Sequence, residues 1–487
     1  MKLTQRLVKA WRTLTAKAPA QRRARLGYDG AKSSRLQYDW LAGNAGPNSE
    51  IGNGLRRLRD RCRDLSRNNP HGAKAVEALV SNIVSTGIRA RWSDSQTQAL
   101  WDTWIDQCSV GDELDLYGLQ SLAVRAMIEG GDSLIRRRAR RLDDGLAVPL
   151  QLEVLEGDQL DDSKTGAGSV SGGRIVQGVE FDAIGRRRAY HLFRSHPGDM
   201  SVWLNTSAET VAIPAADVAH LCRVTRPGQV RSVSWLATVI LALRDIGEYT
   251  AAERTRKRSQ AGLVGVLTPA DDATYSDDTD SMGAAVVDSD GDVVDELQPG
   301  QVLVARNGKN FTFSNPASDS GFADFMRIQL QTVGSGVFLP YEILTSDLSQ
   351  VNYSSIRLGL VEFQRFVKVA QTQIVIPLMM RPIARWFIEA GQAAGTISAT
   401  NPPTVRWVLP EREEIDRETA VKSAILAIRA GLISRRDQVQ ASGGDADEVL
   451  TEIAEDLAAL DRLGITLDTD PRHSSDGPTA PPQEATP

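Results

Sequence analysis

Two long helix candidates bracket an acidic segment in the middle of this chain, and that arrangement restricts the fold more than any other feature. In residues 234–258, Leu236, Val239, Ile240 and Leu243 form an apolar stripe at helical spacing, and Arg254, Arg256, Lys257 and Arg258 suit a helix C-terminus. Residues 322–337 read as the second helix. Between them, residues 263–316 read as strands and turns, and 263–300 hold ten Asp/Glu with no Lys or Arg. Two long helices around a small β unit make a stalk with a tip. No apolar run reaches the roughly 18 residues that a membrane helix needs.

The 487 residues suffice for two to four ordinary domains, and a hydrophobic fraction of 41% excludes wholesale disorder. The net charge of -6 argues against a simple basic nucleic-acid binder. Charge is segregated, however: residues 1–40 carry ten Lys/Arg against Asp29 and Asp39. Separate acidic and basic regions point to different partners or to different rims of one assembly. Cys62, Cys108 and Cys222 form an odd, sparse set, which predicts reduced, buried thiols in a protein assembled in a cytoplasm.

The rest of the chain reads as mixed α+β. Residues 1–17 suggest a basic amphipathic helix that contacts nucleic acid or a partner shell, or else a solvated arm. Asn69-Pro70 is a helix start, because Asn can cap orphan amides and Pro fits the first turn. Ala73, Val76, Leu79, Val80 and Ile83 continue that helix, and a strand is predicted at 88–92. Trp101, Trp104 and Ile105 mark a further helix, and residues 119–128 another. Residues 133–221 alternate as short strands, with a turn at 182–185. A loop is expected over 340–353, then a long helix from 354 to 387 bent at Pro377 and Pro382. Two helices, 419–430 and 446–463, close the fold before a Pro/Ser/Thr tail.

Signatures of catalysis fail on spacing. Gly308-Lys309-Asn310 lacks the hydroxyl and glycine spacing of a phosphate loop. Asp288-Ser289-Asp290-Gly291-Asp292 starts like a calcium loop, but Val293 and Pro299 stand where Gly and Glu are required. Asp271, Asp272, Asp277 and Asp278 lie in Thr/Ser-rich turns, whereas nuclease carboxylates normally come from ordered strands. His191 and His196 lack a third ligand nearby in sequence, so surface or partly buried histidines are expected. The basic runs 136–141 and 186–188 could meet phosphate without reading sequence, or form an exposed face or salt bridges between subunits.

A series of short motifs in one order resembles the lambda-like family of phage portal proteins over residues 55–465. Arg67-Asn68-Asn69-Pro70 leads into a helix ending Ser85-Thr86-Gly87-Ile88. Glu129-Gly130-Gly131-Asp132, Gly178-Val179-Glu180-Phe181-Asp182 and His196-Pro197-Gly198 follow. Next come His220, Arg226-Pro227-Gly228-Gln229-Val230-Arg231, Tyr341-Glu342-Ile343-Leu344 and Asn352-Tyr353-Ser354-Ser355. Ser85 and Ser232 depart from the family pattern, which has Gly at the first and often at the second.

The resemblance implies one subunit of a ring, usually twelve-fold, with no cofactor, no metal and no activity of its own. Its parts would be a basic arm and loop (1–54), an α/β wing (55–231) and stem helices (232–262 and 318–338). A clip (263–317), a tunnel loop (339–353), a long helix with return strand (354–410), a crown (411–466) and a disordered tail (467–487) would complete it. Thr345, Ser346, Asp347, Ser349, Gln350 and Asn352 would line the DNA channel. Asp271, Asp272, Asp277, Asp278, Asp288, Asp290 and Asp292 would face partners. Those partners would be other copies of the chain, double-stranded DNA without sequence specificity, the terminase large subunit, major capsid and scaffold proteins, and a head-completion or adaptor protein. The setting would be a virion vertex, with no membrane. Two rivals remain: a metal-dependent nuclease using the acidic loops, and another virion structural protein of the minor capsid or tail.

Overall fold

The computed structural model describes residues 43–111, 113–199, 209–261, 265–268, 302–304, 310–313, 321–349, 353–398, 400, 402–411, 416–467 and 470. Asp271, Asp272, Asp277, Asp278, Asp288, Asp290, Asp292, Gln350 and Asn352 lie outside them, as do the basic arm and the tail. Residues 1–46 separate as a unit of their own; everything below concerns the unit from Pro47 onward.

Helices α1 (Pro47–Gly52), α2 (Leu55–Asn68) and α3 (Pro70–Val84) come first. Asn69 breaks α2 from α3 with an extended backbone, and its Oδ1 accepts from the amides of His71 and Gly72, both at 3.0 Å. That is the cap expected from Asn69-Pro70. At the other end of α3, Ser85 takes φ 48° and ψ -120°, a conformation that favours glycine. The departure from the family's Gly therefore sits where the backbone makes a non-glycine residue costly.

Strand β1 (Arg89–Trp92), α4 (Ser95–Trp104) and α5 (Leu116–Gly130) follow, then the strands β2 (Asp132–Ala139) and β3 (Leu150–Glu156). Next are β4 (Gly166–Ala167), β5 (Arg174–Val176), β6 (Val179–Phe181), β7 (Arg187–Phe193), β8 (Thr210–Pro214) and β9 (Val218–Cys222). β4 to β8 make a five-stranded antiparallel meander, and β2 lies between β3 and β9 in a separate antiparallel sheet.

Side chains alternate across that central sheet, and both faces are buried. Ile135, Leu150, Leu152, Ala219 and Leu221 join the large helical core, whereas Leu134, Leu155 and Val218 join a smaller core with Val179, Tyr190 and Leu192 of the meander. The helical core includes an aromatic group in which Trp101 meets Phe387 edge-on at 4.9 Å and Trp104 at 5.0 Å.

The chain continues as α6 (Ile240–Ala261), β10 (Gly265–Thr268), β11 (Val302–Val304) and β12 (Asn310–Phe313), then α7 (Phe322–Val337) and α8 (Tyr341–Thr345). α9 (Tyr353–Ala370), a π-helical stretch (Gln371–Met380) and α10 (Arg381–Ala394) form one helical path. β13 (Val405–Val408) returns to pair antiparallel with β1. α11 (Arg417–Arg429), α12 (Arg435–Ala441) and α13 (Ala446–Leu463) are last.

Three expectations need correction, and the long helix gains a detail at Pro377. α6 starts at Ile240, not 234, because Ser234 Oγ and the Trp235 amide both donate to the Ile128 carbonyl and hold 234–239 in turns. Residues 341–345 are a helical turn within the expected loop: Phe338 closes α7 in the left-handed region, and Pro340 stands immediately before the next helix. Pro377 lies inside the π-helical stretch, where the wider winding absorbs a residue without an N–H. Finally, a third C-terminal helix, α12, is capped by Ser434, whose hydroxyl accepts from the Asp437 amide at 3.0 Å.

Candidate channel segment and buried ionic cluster

The segment expected to line a channel is short and closed on itself. Leu344 anchors it in the core, while Ser346, Leu348 and Ser349 are exposed. Ser346 ends α8 with a left-handed φ of 58°. Asp347 Oδ1 accepts from the Ser349 amide at 3.0 Å and from its hydroxyl at 2.6 Å, and Tyr341 donates to Oδ2 at 3.2 Å. Those bonds, Ser349's first, hold the Asp347 carboxyl below the ordinary carboxylate range. Thr345 donates back to the Tyr341 carbonyl at 2.8 Å. Thr345 and Asp347 are thus half-buried and locally bonded, whereas the serines are accessible. Sequence reasoning did not single out Leu348, although it is 63% exposed.

The family-like motifs converge elsewhere, on a buried cluster between the two cores. Asp132 opens β2 and is fully buried, as are Arg231 and His220. Arg231 Nε donates to Asp132 Oδ2, and its Nη2 donates to the Gly157 carbonyl at 2.7 Å. His220 Nε2 lies 3.3 Å from the same Oδ2. Arg59 of α2 donates to the Gly130 carbonyl and to Asp158, both at 3.0 Å, and its Nη2 lies 3.8 Å from Asp132 Oδ1. Arg187 Nη1 lies 3.1 Å from His220 Nδ1 and 2.9 Å from the Tyr190 hydroxyl. A guanidinium can only donate, so Nδ1 accepts and the neutral imidazole donates from Nε2 to Asp132. Burial pulls the His220 pKa down to about 4, and the nearby arginines assist. Asp132 remains ionised despite its burial, because Arg231, His220 and Arg59 surround it.

Beside this cluster, Glu156, Asp158 and His196 bring three possible ligand atoms together. Arg63 already supplies the positive charge there: its Nη2 donates to Glu156 at 2.6 Å and to Asp158 at 2.5 Å. The arrangement locks α2 to the end of β3. His191 is buried against Glu180 at 3.1 Å, more enclosed than expected. Two arginines of the basic run in β2 are engaged within the chain: Arg137 pairs with Glu389 at 2.6 Å and Arg138 with Glu153 at 2.7 Å. The partners of Arg137 and Arg138 are therefore residues of the same chain.

A further contact group lies beyond β9. The Arg223 guanidinium stacks over Phe338 at 4.9 Å, Trp235 at 5.0 Å and Phe366 at 5.6 Å. It ties the end of the central sheet to Phe338 at the α7–α8 junction and to Phe366 of α9.

Comparison with known proteins accords with this reading. The family model "Phage portal protein, lambda family" matches residues 33–371, well over half of the chain. A "Probable portal protein" of Halomonas phage phiHAP-1 is 26% identical over 502 residues, covering 96% of this chain and 94% of the relative. Among solved structures, a chain from the neck of an empty GTA particle aligns with a TM-score of 0.43 at 14% identity, covering 84% of this chain and 98% of its own. A chain from the virion of a native gene transfer agent particle gives 0.43 at 12%, with the same coverage. The backbone likeness is partial, and the assignment rests on the sequence pattern. The chain belongs to the lambda family of phage portal proteins, structural and non-catalytic components that form a DNA-conducting ring in the virion.

Proposed function

We propose that the ring occupies one capsid vertex, admits DNA during packaging and releases it at ejection. The family pattern across residues 33–371 carries this reading. The packaging ATPase belongs to a separate chain, the terminase large subunit, which docks on the clip (263–317). A head-completion or adaptor protein takes that place afterwards. Major capsid and scaffold proteins surround the wing (55–231), and the crown (411–466) faces the capsid interior. The subunit assembles in the host cytoplasm; among the described residues no helix is long and apolar enough to cross a membrane.

The chain itself performs no catalysis in this account. Its clustered buried carboxylates are engaged by Arg59, Arg63 and Arg231, which fits a structural role. The acidic clip, with Asp271, Asp272, Asp277, Asp278, Asp288, Asp290 and Asp292, repels phosphate and lets DNA slide. Light scattering of the purified protein at moderate salt should give a mass many times 53.0 kDa. A strictly monomeric protein at every concentration would sink the reading.

Within the ring, residues 345–352 line the channel. Ser346 and Ser349 supply small polar contacts without holding the DNA, because tight phosphate bonds would stall it. Cysteines placed singly at Ser346 and Ser349 should cross-link to DNA trapped in the channel or to the adjacent subunit. If neither position links to either, the channel runs past a different segment.

A further inference from the structure

Helices in proteins owe most of their stability to burying an apolar face. The last three helices do not do so within one chain. α11 and α12 bury no side chain, and α13 buries only Ala446. Yet α11 repeats Val421, Ile425 and Ile428 at helical spacing, with Val421 50% and Ile425 43% exposed. Val421, Ile425, Ile428 and Val439 line a cleft of about 860 Å³ between α11 and α12, together with two basic residues, Arg417 and Arg435, and one acidic residue, Glu411.

α13 carries a second apolar stripe of Leu450, Ile453, Leu457 and Leu460, with Leu450 exposed. The charges of the two surfaces are opposite. α11 and α12 together hold five basic residues against Glu418 and Asp437; α13 holds six acidic residues against Arg462. Some of these are used locally: Arg436 pairs with Asp447, and Arg91 with Glu448. Among the described residues, Glu452, Glu455 and Asp456 on α13 form no ion pair, nor do Arg417 and Arg435 at the cleft. Within one chain α13 packs on α12 and leaves the cleft open.

We propose that α13 of one copy docks in the α11–α12 cleft of the next copy, its apolar stripe against the apolar residues of the cleft and its acidic flank against the two arginines. The two surfaces differ, so the contact runs head to tail and ends only when a ring closes. The opposite charges set the order of subunits and disfavour like-on-like pairing. This inference rests on the ring reading and names which helices complete one another's core.

The test uses the full-length chain with Ile425→Cys and Leu450→Cys together, treated with a short bismaleimide. Both positions are exposed, so folding should be unaffected, and the native thiols of Cys62, Cys108 and Cys222 are buried and should not compete. Burial also pushes those thiols up, to about 11, 12 and 11 respectively. A ladder of covalent multimers on a denaturing gel is expected, with each single variant remaining a monomer band. A ring-sized mass with only monomer bands, including a compact form linked within one chain, would overturn the docking while leaving the ring intact. A monomeric mass throughout would overturn the ring reading, and the docking with it.

Discussion

Asp132→Asn should destabilise the subunit by about 3–5 kcal/mol, the usual result of removing one partner from a buried ion cluster. Asn keeps the shape but leaves Arg231 and Arg59 in the interior without their shared counter-charge. Total stabilities are of order 5–15 kcal/mol, so soluble yield should fall along with the thermal midpoint. The cluster also sets an acid response. The His220 pKa is depressed from 6.5 to about 4, so the unfolded chain binds that proton more readily. Stability from this group is complete above about pH 6.5 and is lost as pH falls toward 4. Asp132, held below its ordinary range, loses its contribution in the same direction. The wild-type midpoint should therefore drop on acidification between pH 6.5 and 4, and the drop should be smaller in His220→Asn, which removes the group that titrates in that window. A loss under about 0.5 kcal/mol in Asp132→Asn, ordinary for a surface substitution, would contradict the role given to the cluster.

Gly131→Ala should be at least as damaging, for a steric reason. Gly131 caps α5 at φ 95°, and a Cβ there would lie 2.2 Å from the Ser232 carbonyl oxygen and 2.8 Å from the Val233 carbonyl carbon. Both are backbone atoms of the segment that leads into α6, so relief requires moving the chain. Backbone strain and overpacking together should cost at least about 3 kcal/mol. Gly145 is the internal control: its φ is 76°, but a Cβ would meet nothing within 4 Å. Gly145→Ala should cost only about 1–2 kcal/mol, the price of a left-handed alanine. Denaturant midpoints of the two variants decide the matter, and equal losses would show that the close approach at Ser232 is not needed.

Local structure was largely legible because its causes are local. Asn69-Pro70 announces a helix start through chemistry confined to four residues, and the cap forms accordingly. The alternation in β2 and β3 shows in the sequence as strand, although not that both faces would be covered. The ionic cluster was not legible. Arg59, Asp132 and Arg231 are far apart along the chain, and nothing in the pattern of any one segment says that they share a site. Asp132, His220 and Arg231 belong to separate motifs of the resemblance to portals, and only the fold brings them into contact. Pairing of β1 with β13 was hidden in the same way, by some 300 intervening residues. α8 escaped notice because five residues are too few to show a helical period. The clip carboxylates and Gln350 and Asn352 lie outside the described residues, and their roles remain those proposed.

Negative-stain images of the purified full-length protein test the central claim most directly. The account predicts turbine-like rings with an axial hole, built from many copies of this one chain. Isolated monomers, or open tubes without a closed ring, would contradict it.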